Sequence, residues 1–197
     1  MKEFWDQRYS SEDYAYGVEP NAFYKEEVSK LKPGKILFPA EGEGRNAIFA
    51  ATLGWEVAAY DVSTEGIKKA ENLAKKNNVE INYKNASHES FQAEPESFDC
   101  IVLIYAHSAP GKRQLLHQKL AGFLKPGGTL ILEGFSKQQL KNNTGGPRNI
   151  DMLFSVEELK DDFRNFKQLD ITKTEVGLSE GYFHQGNALV VRTIGTK

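Results

Sequence analysis

The stretch from Lys35 to Ser63, KILFPAEGEGRNAIFAATLGWEVAAYDVS, constrains this chain more than any other. An apolar run (Ile36, Leu37, Phe38) meets a turn from Pro39 to Gly44. Ala47, Phe49, Ala50 and Leu53 then recur at roughly helical spacing, Gly54 stops the pattern, and a second apolar run ends at Asp61. Strand, glycine loop, helix, strand and acid in that order read as one half of a doubly wound nucleotide-binding sheet.

The chain continues the alternation. Ser63 caps a helix that should run to about Asn77, and Ile81 to Tyr83 is a short strand. Phe98 to Tyr105, FDCIVLIY, is apolar throughout, as a parallel strand covered on both faces must be. Lys112 to Leu124 is helical, 125–128 turn sharply, and Thr129 to Glu133 is another strand. Repeated β-α units with right-handed crossovers give a doubly wound sheet. The last third differs. Lys137 to Ile150 reads as a polar, mobile loop, and Ser155 to Glu158 is a capping box opening a helix through Phe163. Phe166 to Val176 and Ala188 to Ile194 are strands whose connection has no helix, so they pair antiparallel. At the other end, Phe4 to Tyr24 is rich in aromatics and too irregular for one long helix, while Asn21 caps a short helix over Ala22 to Leu31. Such an arm either packs on the outside or folds over the site.

With 197 residues, 40% of them hydrophobic, the chain suits a single domain, 1–197, with an arm over 1–30 and a core over 31–197. A net charge of −2 argues against nucleic acid as a partner. No apolar run approaches the ~20 residues of a membrane span, and the first residues are too polar for a signal peptide, so the expected location is cytoplasmic. The single cysteine, Cys100, lies in an apolar run, which indicates packing and excludes a disulfide framework or cysteine-rich metal site. His117 is expected on the surface of its helix.

Spacing alone leaves the nucleotide open. Gly42, Gly44 and Ala47 satisfy G-x-G-x-x-A, and Asp61 lies about 20 residues on, as an NAD site would have it. The loop, however, carries Glu41 and Glu43. Carboxylates beside a pyrophosphate repel it by about 1–4 kcal/mol per close pair near a surface. S-adenosylmethionine (SAM) has no phosphate and carries a cationic sulfonium and ammonium. Asp61 can accept from ribose hydroxyls in either case. The two Glu can instead face solvent or offset Arg45. An NAD-dependent reductase and a non-catalytic SAM-binding sensor stand as alternatives, although the reductase lacks a Tyr-x-x-x-Lys pair after the fourth strand.

The segments WDQRYS, YAYGVEPN, PAEGEGRNA, SFDCIVLIYAH, LKPGGTLILEGFS and EGYFHQGNALVVR together cover essentially the whole chain. They resemble class I SAM-dependent methyltransferases, in particular the small tellurite-resistance and thiopurine methyltransferase-like group. The resemblance implies an α/β, doubly wound, mostly parallel seven-stranded sheet with a reversed last strand. It implies methyl transfer by in-line displacement to a small-molecule acceptor such as a thiol or a selenium or tellurium oxyanion, by a monomer or weak homo-oligomer without a metal. It places Tyr16, Ala40, Glu41, Gly42, Gly44, Asn46, Asp61, Val62, Ser63, Ser87, His88, Tyr105 and Ala106 at the cofactor. Trp5, Arg8, Tyr9, Tyr14 and His184 become lid or acceptor residues, and His107 the candidate base. Two positions depart from the pattern: Phe38 stands where the first strand ends in an acid, and Ser87 replaces the acid after the third.

Overall fold

A computed structural model describes residues 2–197. Seven strands form one mixed sheet in the order β3-β2-β1-β4-β5-β7-β6. The chain divides into two compact units, one ending at Gln92 but including Glu180–Phe183, the other holding Ala93–Ser179 and His184–Lys197.

The first unit opens with α1 (Lys2–Tyr9) and α2 (Ala22–Val28), the latter capped by Asn21, whose side chain accepts from the Tyr24 N–H. β1 (Lys35–Pro39), α3 (Arg45–Thr52), β2 (Glu56–Asp61), α4 (Thr64–Lys76) and β3 (Asn82–Asn85) follow. The three strands pair in parallel, with Phe38 opposite Ala59 and Asp61 opposite Asn85. Ile36, Leu37 and Phe38 are fully buried, which is why β1 reads as an unbroken apolar run. On α4, Ile67, Ala70, Leu73 and Ala74 form the buried face, and three of them pack with Ile48, so the helical spacing of small and apolar residues sets how closely α3 and α4 approach.

The second unit contains β4 (Phe98–Ile104), α5 (Arg113–Phe123), β5 (Leu124–Phe135), α6 (Val156–Asp162), β6 (Gln168–Glu180) and β7 (His184–Thr196). β4 and β5 are parallel, whereas β5 and β7 are antiparallel with Glu133 opposite Arg192. The reversed strand and the Ser155–Glu158 capping box follow the expectation. Three details differ. β5 runs from Leu124 through the proline–glycine turn, and the last two strands extend until only 181–183 separates them. The polar loop after β5 is ordered by hydrogen bonds, with 3-10 turns at Lys137–Lys141 and Ile150–Met152. Buried Gln139 donates to Thr144 and accepts from the Leu189 N–H. His117 is 1% exposed, with Nδ1 2.7 Å from Asp162, so its expected surface position is corrected. It shares the inward face of α5 with Leu116, Leu120 and Phe123.

Candidate active site

In the first unit the carboxyl ends of β1 and β2 converge on the glycine loop. Asp61 is 6% exposed, and its two carboxylate oxygens accept from the Gly42 N–H at 3.0 Å and the Ser63 N–H at 2.8 Å. Burial raises its pKa, opposed by these amides. The Val62 amide also bonds this carboxylate, which still leaves it acceptor capacity for a ligand hydroxyl. Tyr83, missed in the sequence, donates its hydroxyl to the Gly42 carbonyl at 2.7 Å. Gly42 is thus held at both its amide and its carbonyl.

The glycines are demanded by the protein's own packing. Gly42 and Gly44 have φ of +64° and +88°. A Cβ on Gly42 would stand 2.5 Å from the Tyr9 hydroxyl, and one on Gly44 2.6 Å from the Ala70 Cβ. Gly44 therefore lets α3 lie against α4, and Gly42 receives the end of α1. Ala40 also adopts a left-handed φ, +52°, a strained conformation for a residue with a Cβ, at the end of β1.

The two loop acids are engaged within the unit. Glu41 Oε1 accepts from the Asn46 and Ala47 N–H groups at 2.9 and 2.8 Å, closing the N-terminus of α3. Burial pushes its carboxyl up to about 7, against the lowering effect of these amides and of Arg45. Glu43 pairs with Lys69 at 2.8 Å, and its other oxygen accepts from the Ala15 N–H. Both side chains of that pair are largely shielded, and burial raises the Glu43 pKa. The alternative that these acids face solvent therefore does not hold. Asn46 accepts from the Asn21 N–H through its side chain, which ties α3 to the start of α2.

The arm lies over this loop. Asp6 accepts from the Ser63 hydroxyl at 2.7 Å and from the Glu65 N–H at 3.3 Å, so it caps α4 from α1. Ser63 in turn accepts from the Gly66 N–H, which commits its hydroxyl to the cap. Trp5 stacks on Tyr9 at 5.5 Å, and Tyr9 meets Tyr16 edge-on at 6.4 Å. Tyr14 donates its hydroxyl to the Lys69 carbonyl. Arg45 pairs with Glu180 at 2.9 Å and donates to the carbonyls of Tyr16 and Glu19. Beyond β2, Asn85 donates to the carbonyls of Asp61 and Val62, Ser87 bonds Ser90, and His88 Nδ1 lies 2.9 Å from the Tyr60 hydroxyl.

In the second unit, Tyr105, just past β4, has φ of +53°. Glu133 holds it twice: the Tyr105 N–H donates to the Glu133 carbonyl at 2.7 Å and the phenol donates to its carboxylate at 2.8 Å. Arg192 pairs with the same buried carboxylate at 2.6 Å. Tyr105 and Phe135 stack, and buried His184 meets both rings edge-on. Ala106 is buried beside them in sequence. His107 corrects an expectation. Its Nε2 accepts from the Phe135 N–H at 3.1 Å, its Nδ1 lies 2.7 Å from the Met152 carbonyl, and burial lowers its pKa to about 4. Both ring nitrogens are occupied by backbone, so His107 is a brace in this arrangement and offers no free nitrogen as a base.

The fold and the acid-ended β2 beside a glycine loop define the class I methyltransferase architecture. Residues 36–128 match the family model described as Methyltransferase domain. A ubiquinone biosynthesis O-methyltransferase from Rickettsia akari is 30% identical over 116 residues, which is 59% of this chain and 45% of that protein. A homonymous protein from Xanthomonas campestris is 31% identical over 108 residues, covering 54% of this chain and 45% of its own length. The chain spans about half the length of the curated relatives it matches. Among solved structures, TehB from Haemophilus influenzae aligns over 100% of this chain and 66% of its own, with a TM-score of 0.71 and 15% identity. A SAM-dependent methyltransferase from Methanosarcina mazei aligns over 91% and 99%, with a TM-score of 0.70 and 19% identity.

The chain's own residues fit that cofactor. A buried carboxylate ends β2 with lone pairs to spare, the loop carries no cation for a phosphate, and Glu41 already occupies the leading amides of α3. Asp61, the backbone of the glycine loop and Val62 would hold it in the first unit.

Proposed function

We propose that this protein transfers a methyl group from SAM to a small-molecule acceptor. One observation carries the choice over a dinucleotide: the Asn46 and Ala47 amides, which a pyrophosphate would require at the start of α3, are taken by Glu41. The matched methyltransferase domain supports the same reading.

When bound, the cofactor supplies an activated methyl group on a cationic sulfur. The chain's work is to bind, orient and exclude water. Asp61 takes ribose hydroxyls while the Gly42 and Ser63 amides keep its carboxylate in place. Tyr83 stops the loop from turning its carbonyl away. Trp5, Tyr9, Tyr14 and Tyr16 cover the loop. Alignment of this kind is worth about 7–11 kcal/mol. His107 contributes rigidity and moves no proton. We assign the acceptor to nucleophiles that need little general-base help, such as thiolates or selenium and tellurium oxyanions; the occupied nitrogens of His107 support this.

Isothermal titration with S-adenosylhomocysteine and with NADH tests the cofactor. Micromolar binding of the former and none of the latter is the expected result, and the reverse overturns the reading. A labelled-methyl screen over thiols, selenite, tellurite and phenols then tests transfer. Intact binding with no turnover across the panel would show a SAM-binding sensor instead.

A further inference from the structure

The cations around the glycine loop have other partners. Lys69 pairs with Glu43 and Arg45 with Glu180, while Arg8 stands 3.8 Å from the Phe183 ring centroid with Nη1 3.2 Å from the Tyr16 hydroxyl. Glu41 is held differently. Among the described residues no cation meets its carboxylate at ion-pair distance, and Arg45 acts on it only through space. Its bonds are to the Asn46 and Ala47 amides and the Asn46 side chain. Residues 42–48 are all buried, whereas Ala40 and Glu41 keep a partly open surface. The carboxyl is thus shielded enough for burial to raise it to about 7, and the residue is open enough to meet a ligand.

The layout of the unit says which part of a ligand belongs there. In a doubly wound sheet the acid ending the second strand takes the ribose hydroxyls, and the group on the ribose 5′ carbon lies at the start of the first helix. In a dinucleotide that group is a pyrophosphate. In SAM it is a sulfonium, and in S-adenosylhomocysteine a neutral thioether. Glu41 Oε1 sits on the amides at the start of α3, so its carboxyl belongs beside the one atom whose charge differs between cofactor and product. The other titratable and charged groups around it are Tyr9 of α1, Asp61 of β2, Tyr83 of β3, Arg45 of α3 and Glu43 of the loop. Both phenols stay protonated, because burial raises each well above its usual range. Asp61 and Glu43 are raised by burial too, but three amides hold the one and Lys69 the other.

We infer that Glu41 couples this site to protons: it is ionised beside the cationic cofactor and protonated beside the neutral product, so the loop prefers SAM to S-adenosylhomocysteine and loses that preference as the solution becomes acidic. The inference rests on the methyltransferase reading and adds the regulation of that site. A positive charge beside a carboxyl favours its ionised form, so Glu41 gives its proton to solvent when the cationic ligand is seated. By linkage, a pH that removes the proton beforehand strengthens that binding. Beside a thioether Glu41 keeps its proton, and the site holds the product with one favourable contact fewer.

Titration calorimetry with SAM and with S-adenosylhomocysteine, on wild type and E41Q, tests this on either side of the Glu41 transition, at about pH 5.5 and about pH 8.5. Each titration is run in two buffers of different ionisation enthalpy, and circular dichroism checks that the variant is folded. In wild type the ratio of SAM to S-adenosylhomocysteine affinity should rise at least about fivefold from the lower pH to the higher. At about pH 7, SAM should release more protons than S-adenosylhomocysteine, read from the dependence of the enthalpy on the buffer. E41Q keeps an oxygen for the cap and cannot ionise, so it should lose most of that rise and of the extra protons. Any share that belongs to Asp61, Glu43 or the amine of the ligands persists in E41Q and is subtracted by the comparison. A wild-type ratio that does not change with pH, or an equal rise in folded E41Q, overturns the inference. Should E41Q not fold, equal proton release by the two ligands in wild type overturns it alone. If wild type binds neither nucleoside at either pH, the methyltransferase reading itself fails, which is a different result.

Discussion

The Ala47 N–H donates to Glu41 Oε1 at 2.8 Å, so a side chain of the glycine loop closes the helix that the loop precedes. This carboxyl has a pKa raised from 4.5 to about 7, with burial as the largest cause. A raised folded-state pKa gives stability that is fully present below the unfolded value and lost as pH rises through the folded one. Stability should therefore fall as pH rises from about 4.5 to about 7. In Glu41→Gln that slope should shrink while the cap persists through the amide oxygen. Melting temperatures of both proteins from pH 5 to 8 check this; parallel curves would refute it.

Asp61 joins β2 to the loop and faces the ribose in the proposed complex. Asp61→Ala should weaken S-adenosylhomocysteine binding by about 1.5–3 kcal/mol, the range for charged hydrogen bonds. The Gly42 and Ser63 amides also lose their acceptor, so the melting temperature should fall as well. An affinity equal to wild type in a folded variant would remove Asp61 from the site.

His107 should prove to be structural. His107→Ala leaves the Phe135 N–H without its partner, a loss of about 1–3 kcal/mol in denaturant unfolding. Cofactor affinity should be unchanged. Its pKa is depressed from 6.5 to about 4, so the stability it contributes is present above pH 6.5 and lost as pH falls towards 4. A variant that kept wild-type stability but lost all transfer would restore a catalytic role.

The Glu43–Lys69 pair fastens the arm through the Ala15 amide. Lys69→Met leaves a shielded carboxylate without its cation, a change of the kind that costs about 3–5 kcal/mol. The arm should then become a target for limited proteolysis near Asp13, which Lys69 also contacts through its carbonyl. Replacing both partners by apolar residues should recover part of the stability. Equal protease resistance in Lys69→Met and wild type would show that the arm is held by its aromatics alone.

The βαβ half, the Ser63 and Asn21 caps and the reversed strand were legible because each rests on local pattern: apolar period, a capping side chain, a connection without a helix. The preference for a phosphate-free cofactor was legible too, although through a different physical route. The loop acids bear on the choice because Glu41 occupies helix amides and Glu43 a lysine, and bare repulsion was the wrong picture. Asp6 with Ser63, Glu43 with Lys69 and Tyr83 with Gly42 were not legible, since nothing in a strand or helix pattern names a partner tens of residues away. His117 was misread although the signal existed. Leu116, Leu120 and Phe123 mark a buried stripe, and position 117 stands one turn before Leu120 on that same face.

Arg45 meets Glu180 across 135 positions of chain. During synthesis the first 92 residues leave the ribosome long before the short segment that completes their unit. At about 5–20 residues per second, the arm waits several seconds for its last anchor. A nascent chain stalled short of Glu180 should hold its glycine loop in place and leave Arg45 without its carboxylate partner until Glu180 emerges.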